Sequence, residues 1–342
     1  YRRVRLYTCM AAVLFGISYI FVNTYFVPNG YSRQKTLVVF LMVVYKVLDG
    51  FADVYESEFQ RAGRLYLTGK AMAYRTILSV ILFLGTLFLT RELVFSCVIA
   101  VLAQAAGILL FDWNLMKLVP GVDISRAAGK SLALVRESFL LFLSVFLDGL
   151  IFAMAKYAVD AQMTATDTAI FVAVFMPTSV INLAANFVIR PFLTKMSYQW
   201  EGKKFDEFTR DLKKLMAIIL ILTIIALAGA WAIGVPVLGA ISNVKLAPYK
   251  SGLLYIILGG GFFAVMNLFY YVLVIMKCQR RIFFGYVPVC ILSAILSFLL
   301  VKTGGINGGA LSYMLEMLVL MMCFMGQAFY VFHRTKKQQG GR

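Results

Sequence analysis

Long apolar runs constrain this chain more than any other feature of its sequence. Runs of roughly 20 residues recur along its whole length, and an α-helix of that length crosses the hydrocarbon core of a bilayer. The 342 residues are 61% hydrophobic and only 14% charged, a polar content too low to cover the surface of a soluble domain. The runs therefore predict an all-α, polytopic membrane protein with about ten spans in this chain. The predicted spans are 6–27, 35–54, 73–90, 92–113, 137–158, 167–189, 213–241, 252–276, 282–301 and 309–331.

Basic residues lie mainly on one side of the predicted bundle. Segments on one face hold 25 of the 33 Lys and Arg residues, the opposite face holds 7, and Lys46 lies within a span. The positive-inside rule therefore predicts that both chain ends are cytoplasmic, in a multi-pass protein of the cell membrane. This distribution explains the charge without nucleic acid, and anionic membrane lipids are expected contacts of the basic face.

Two short polar stretches repeat one pattern. FQRAGRLY (59–66) and YQWEGKKF (198–205) each contain an aromatic residue, Gln, two residues, Gly, a base, one residue and an aromatic residue. Both lie on the predicted cytoplasmic side between two spans, so an internal duplication competes with chance similarity. Four spans separate the stretches, four follow the second and two precede the first. Under duplication, we expect a full chain of twelve spans in two pseudo-symmetric lobes, with this chain beginning at the third span.

The span count divides the chain into four predicted regions. They are the remainder of an N-terminal lobe with four helices (1–114), a cytoplasmic linker between the lobes (115–136), a six-helix C-terminal lobe (137–332) and a basic tail (333–342). The loops on the outer face, such as 302–308, are short, so they build no separate domain. Apolar spacing over 205–215 predicts an interfacial helix that runs into the next span.

Ionisable residues inside spans are costly to bury and are therefore functional candidates. Lys46 and Asp49 lie three residues apart on one helix face, where a structural ion pair competes with a functional site. Asp148 lies near mid-bilayer, and Glu316 lies about two turns below the outer end of the last span. For these two carboxylates, ion coupling competes with a helix-packing or solvent contact.

Other polar residues extend the candidate set. Arg190 ends a span before Pro191, where snorkelling to the interface competes with a role in a cavity. Asn182 and Asn186 either line a cavity or bond across helices. Pro177 interrupts a span, as do Pro236 and Pro288, and three glycines follow one another at 259–261.

Several kinds of chemistry have no sequence signature here. The sequence has no P-loop, no nucleophile motif and no His within a span, and its five cysteines show neither metal-ligand nor redox spacing. We therefore expect no cofactor, no bound metal and no enzymatic activity.

One long run carries a resemblance to a known family. It reads MAKYAVDAQMTATDTAIFVAVFMPTSVINLAANFVIRPFLTKMSYQWEGKKFDEF, with Lys156, Tyr157 and Asp160 at the end of one helix and Pro191 and Phe192 at the end of the next. It resembles the middle of bacterial polysaccharide flippases of the multidrug/oligosaccharidyl-lipid/polysaccharide exporter superfamily. The earlier run VLDGFADVYESEFQRAGRLYLTGKAMAYRTI resembles the corresponding loop of their first lobe.

The resemblance implies two six-helix lobes around a central cavity that opens alternately to either side. It implies export of an undecaprenyl-pyrophosphate-linked oligosaccharide to the outer leaflet, for the biosynthesis of a surface polysaccharide such as lipopolysaccharide. Expected partners are the lipid-linked oligosaccharide, a polysaccharide polymerase and glycosyltransferases. The alternatives are a drug or cation antiporter of the same superfamily and a membrane-embedded glycan enzyme.

If this resemblance holds, the candidate site residues are the polar and charged residues that lie deep in the predicted spans or near their ends. Cationic side chains are expected to hold the pyrophosphate or acidic sugars, and carboxylates are expected to couple transport to an ion gradient. The substrate-binding candidates are Lys46, Arg190, Lys156, Asn182 and Asn186, and the ion-coupling candidates are Asp49, Asp148 and Glu316.

Overall fold

The structure, a computed structural model, describes residues 2–25, 32–117, 131–242 and 246–340. These residues are almost entirely helical, and they contain no strand. The first helices are α1 (Arg2–Tyr25), α2 (Arg33–Arg61), α3 (Leu65–Thr90) and α4 (Leu93–Lys117, with a π-helical turn at Ile108–Asp112). They are followed by α5 (Ser131–Gln162), α6 (Ala165–Glu201), α7 (Phe205–Gly229, a π-helical turn Ala230–Gly234 and Val235–Ser242) and α8 (Lys250–Ile275). A last helical segment, Gln279–Gly340, is interrupted at Gly305, and its two parts are α9 (279–304) and α10 (306–340). The predicted linker 115–136 falls largely outside the described residues.

Seven helical segments of the described ranges are long and apolar enough to cross a membrane. They overlap every predicted span from the third onward, with ends that differ by at most two residues where a span extends beyond its segment, and the last segment contains two of the spans. The second predicted span lies within α2, which carries several charged side chains, and α1 holds a shorter apolar stretch, Arg5–Phe21. The chain is thus an all-α, multi-pass membrane protein, while its orientation remains a prediction from the charge bias.

The predicted loop 302–308 is wrong, because the helix continues to residue 304 and resumes at 306. Gly305 adopts φ 56° and ψ −136°, a conformation open essentially to glycine only. Beyond it the chain doubles back, since the hydroxyl oxygens of Ser297 and Ser312 lie 3.3 Å apart. A straight helix of 62 residues would be about 90 Å long, three times the thickness of the hydrocarbon core. The segment is therefore an antiparallel pair, α9 and α10, with a very tight reversal.

The two repeated polar stretches form the same kind of turn between helices. Gly63 and Lys203 adopt the left-handed conformation, with φ of 72° and 59°. In each turn the next backbone N–H donates to a carbonyl five residues earlier at 2.9 Å, which is a common way to end a helix. The sequence pattern aligns Gly63 with Gly202, whereas the backbone conformation of Gly63 is matched by Lys203, one residue later. Lys277 makes the same turn without the sequence pattern, which shows that local helix termination suffices to produce this geometry.

Packing divides the chain into two compact units, unit 1 (Tyr1–Glu137) and unit 2 (Ser138–Arg342). In unit 1, α2 packs on α3 and on the end of α4. The buried apolar residues of this contact are Ala52, Tyr55, Phe59, Leu67, Ala71, Ile108 and Met116.

Helix α8 lies at the centre of unit 2. About two thirds of its apolar stretch (67%) is buried, more than in any other candidate span of the described residues. Its three consecutive glycines explain this close packing. A Cβ at Gly259 would lie 2.8 Å from Tyr313 of α10, one at Gly260 would lie 3.2 Å from Ile181 of α6, and one at Gly261 would meet Thr223 of α7. The glycines thus let three helices approach α8 on different sides.

Candidate functional site

Arg75 is the centre of a charged cluster in unit 1, which we call the Arg75 cluster. Its guanidinium donates through Nη1 to Oδ2 of Asp112 at 2.8 Å, and through Nη2 to Oδ1 of Asp49 and Oε1 of Glu56, both at 3.1 Å. Asp49 and Glu56 lie seven residues apart, two turns of α2, and therefore share one face. Arg75 is 1% exposed and Asp112 is 0% exposed, so the strongest ion pair of the cluster is completely removed from solvent.

Lys46 lies at the edge of this cluster. Its Nζ is 3.6 Å from Oδ2 of Asp49, and its side chain is 75% exposed. Oδ1 of Asp49 also accepts a hydrogen bond from Nε2 of Gln104 at 3.1 Å. Of the alternatives left open by the sequence, the structure thus contains the local ion pair between Lys46 and Asp49, and it adds Arg75 and Gln104 to it.

The asparagines of unit 2 bond to one another between α6 and α8. Asn267 donates through Nδ2 to Oδ1 of Asn182 at 3.1 Å. Asn186 donates to the backbone carbonyl and to Oδ1 of Asn182, both at 2.9 Å, and accepts from the hydroxyl of Tyr271 at 3.4 Å. These contacts are hydrogen bonds across and along helices, one of the two roles that the sequence left open for Asn182 and Asn186.

Two carboxylates of unit 2 each have a buried oxygen without a hydrogen-bond partner, and neither forms an ion pair with a base among the described residues. Oε1 of Glu316 accepts a 2.5 Å hydrogen bond from the Ser297 hydroxyl, while its Oε2 is buried and unpaired. Asp148 lies beside the hydroxyl of Tyr286, and its Oδ1 is also buried and unpaired. Both carboxylates lie near the buried Tyr313, and each can take up a proton or a cation where it lies.

The cationic candidates of unit 2 have no acidic partner in the part of the chain that the structure describes. Nζ of Lys156 lies 4.1 Å from the centre of the Phe175 ring and 5.5 Å from that of Phe152, in cation–π contact. Arg190 is exposed at its position on α6. Both are available to an anionic ligand.

Sequence reasoning missed Arg75 and Asp112, two of the most buried charged residues in the described part of the chain. Asp112 and Gln104 lie within a predicted span, so the rule for ionisable and polar residues in spans would have found them. Arg75 lay within a predicted span as well, although its position near the end assigned it to the cytoplasmic bases. Among the described residues, no group of three His, Cys, Asp or Glu side chains is arranged to hold a metal ion.

Comparison with known proteins identifies the fold of this chain. No protein-family model and no curated protein matches the sequence. Solved transporter structures do match the fold. The Vibrio cholerae MATE transporter VcmN in its bent form has a TM-score of 0.69 at 12% identity, over 96% of this chain and 78% of that one.

Two further structures, each described as a multidrug resistance MATE family transporter of the MOP superfamily, match as well. The one in an outward-facing conformation has a TM-score of 0.66 over 98% of this chain and 79% of that one. The one in an inward-facing conformation has a TM-score of 0.65 over 98% and 80%, and both are 12% identical to this chain. At this identity the likeness establishes the fold: the chain is folded like the MATE transporters.

Proposed function

We propose that this chain is a membrane transporter that works by alternating access and is coupled to the binding of a proton or an inorganic cation. One observation carries the proposal. The fold matches, over almost the whole chain, transporters that have been captured in outward-facing and inward-facing conformations.

Buried carboxylates support the coupling part of the proposal. Glu316 is 1% exposed, and neither it nor Asp148 has a base nearby among the described residues. An ionised carboxylate in an apolar interior costs several kcal/mol unless it is neutralised. A proton or a cation supplies that neutralisation, and its release to water on one side of the membrane links ion movement to a conformational change.

Exchange of a drug or organic cation is the first candidate activity. The similar structures favour it, because one of them is described as a multidrug resistance transporter. The buried carboxylates of unit 2 also favour it, since they attract a positively charged ligand. Here Asp148 and Glu316 would alternate between the coupling ion and the substrate.

Flipping of a lipid-linked oligosaccharide is the second candidate activity. Lys156 and Arg190 favour it, because neither has an acidic partner among the described residues and both suit a pyrophosphate. The sequence resemblance to polysaccharide flippases points the same way. On this candidate, glycosyltransferases and a polysaccharide polymerase would supply and consume the substrate.

Deletion of the full-length gene separates the two activities. For drug or cation export, we expect the deletion strain to become more susceptible to cationic drugs and to keep its surface glycan. For flipping, we expect the strain to lose a surface glycan and to accumulate lipid-linked repeat units on the cytoplasmic side. A strain with unchanged drug susceptibility and unchanged glycan contradicts both activities.

Charge-neutral variants test the coupling. We expect Glu316→Gln and Asp148→Asn to reduce transport of the substrate that the deletion strain identifies at least tenfold, measured in proteoliposomes. The reason is that an amide cannot take up a proton, and both variants are expected to fold. Asp160→Asn, an exposed carboxylate at the end of α5, is the matched control and should transport normally. Full activity of both Glu316→Gln and Asp148→Asn would show that the coupling site lies elsewhere.

A further inference from the structure

The Arg75 cluster contains more negative than positive charge. Three carboxylates, those of Asp49, Glu56 and Asp112, bond to one guanidinium. Lys46 adds one positive charge at 3.6 Å, but its side chain is 75% exposed and it reaches only Asp49. Even when Lys46 is counted, three negative charges face two positive ones in a largely buried site.

Asp112 is the carboxylate for which this imbalance matters most. Its side chain is 0% exposed, and Oδ2 bonds to Arg75, whereas Oδ1 is buried and has no hydrogen-bond partner among the described residues. Asp112 ends the π-helical turn Ile108–Asp112, an irregularity that is frequent at functional sites and that interrupts an otherwise apolar helix. An unpaired buried acceptor is costly, and a proton or a water molecule bound to Oδ1 removes that cost.

Among the described residues, Arg5 of α1 is the next basic side chain beside the cluster. From α1, Arg5 approaches α2, but it forms its ion pair with Asp53 and donates to the carbonyl of Gly50. From α3, Ser79 bonds to the hydroxyl of Tyr45, which is neutral. The charged and titratable groups that the described part of unit 1 places around the cluster are Arg5, Tyr45, Lys46, Asp49, Asp53, Glu56, Arg75 and Asp112.

A proton fits the unpaired oxygen better than a metal ion does. A metal ion needs several oxygen ligands around one point, and the described carboxylates are instead distributed around the guanidinium. The guanidinium of Arg75 lies 2.8 Å from Oδ2 of Asp112, so its positive charge would also repel a metal ion bound to that carboxylate. A proton needs a single oxygen, and it balances the remaining negative charge.

We propose that the Arg75 cluster is a proton-binding site and that Oδ1 of Asp112 carries the proton. The site lies in unit 1, whereas the coupling carboxylates proposed above lie in unit 2, and it requires neither of the two candidate activities. With the proton bound, Asp112 still accepts from Arg75 through Oδ2, and the cluster is electrically neutral. Loss of the proton leaves a net negative charge next to the core contact of α2, α3 and α4, which favours an arrangement that admits water.

Infrared spectroscopy of the full-length protein in lipid nanodiscs tests this assignment, because a protonated carboxyl group has its own C=O stretching band. We compare wild type with Asp112→Asn at neutral pH and expect the variant to lose the intensity of about one carboxyl group. The control is Asp160→Asn, an exposed carboxylate outside the cluster, whose spectrum in this region should equal that of wild type. Unchanged intensity in Asp112→Asn overturns the proposal.

A second variant keeps the proposal testable if Asp112→Asn does not fold. Glu56→Gln removes one negative charge from the cluster, so Asp112 is expected to ionise and the same band to disappear. Isotope-labelled aspartate then identifies the carrier, since the lost band shifts on labelling only if an aspartate holds the proton. A band that persists in Glu56→Gln, or one that does not shift with labelled aspartate, contradicts the assignment to Asp112.

Discussion

Replacement of Gly308 by alanine tests the reversal that separates α9 from α10. A Cβ at this position would lie 2.7 Å from the carbonyl carbon of Leu300 and closer still to its oxygen. Ordinary contacts of this kind begin near 3.4 Å, and the obstacle is backbone, so no side-chain rotation relieves the overlap. Relief requires a backbone shift on the order of 1 Å in a packed turn, where overpacking costs about 1–3 kcal/mol.

We expect Gly308→Ala to destabilise the protein by about 3 kcal/mol, at the upper end of that range, because the overlap is with main chain. Unfolding of the detergent-solubilised protein, followed by tryptophan fluorescence, measures the change in the free energy of unfolding. A destabilisation of this size corresponds to roughly a hundredfold change in the unfolding equilibrium constant.

Gly304 supplies a matched control four residues earlier. It is exposed, its backbone is helical, and a Cβ there has no neighbour within 4 Å among the described residues. We expect Gly304→Ala to be neutral or to stabilise the protein by up to about 1 kcal/mol, because alanine favours a helix. If Gly308→Ala were as stable as Gly304→Ala, then Leu300 and Gly308 would not be in contact, and the reversal at Gly305 would be wrong.

Three further substitutions test the packing and the local backbone. Gly261→Ala would place a Cβ 2.8 Å from the hydroxyl oxygen of Thr223, and we expect about 1–3 kcal/mol less stability, which the double change with Thr223→Ala should partly restore. Lys203→Gly removes a side chain from a left-handed position with φ 59°, so a gain of about 1 kcal/mol in unfolding free energy is expected, and a loss would argue against this turn. Ser297→Ala removes the 2.5 Å donor to Glu316, and we expect a cost of about 1–3 kcal/mol in wild type that disappears when Glu316 is replaced by leucine.

Local information in the sequence was sufficient for features that depend on neighbours in the chain. The ion pair between Lys46 and Asp49 spans three residues on one helix, and the amphipathic helical start of α7 follows from apolar spacing over 205–215. In the structure this start buries Phe208, Leu212 and Leu215 on one face and continues into the span, as the spacing predicted. Both features follow from helix geometry alone.

Turns and helix ends were less predictable. Residues 302–308 were predicted as a loop because they lie between the predicted spans 282–301 and 309–331. The structure replaces this loop by a break at one glycine, since Gly305 and Gly308 together permit a reversal without additional residues. The repeated polar stretches were aligned by residue type, but the backbone conformation matches one residue further along.

The amino-acid sequence by itself determined that this chain is a bundle of membrane-crossing helices, because a bilayer admits few other ways to satisfy the backbone of apolar runs of this length. It also marked which residues are costly to bury, such as Asp148 and Glu316. Only the tertiary structure decided which of them are paired. Arg75 and Asp112 lie 37 residues apart and meet through the packing of α3 against α4, while Asp148 and Glu316 have no basic partner among the described residues. Pairing of this kind depends on distance in space, and a pattern along one chain does not specify that distance.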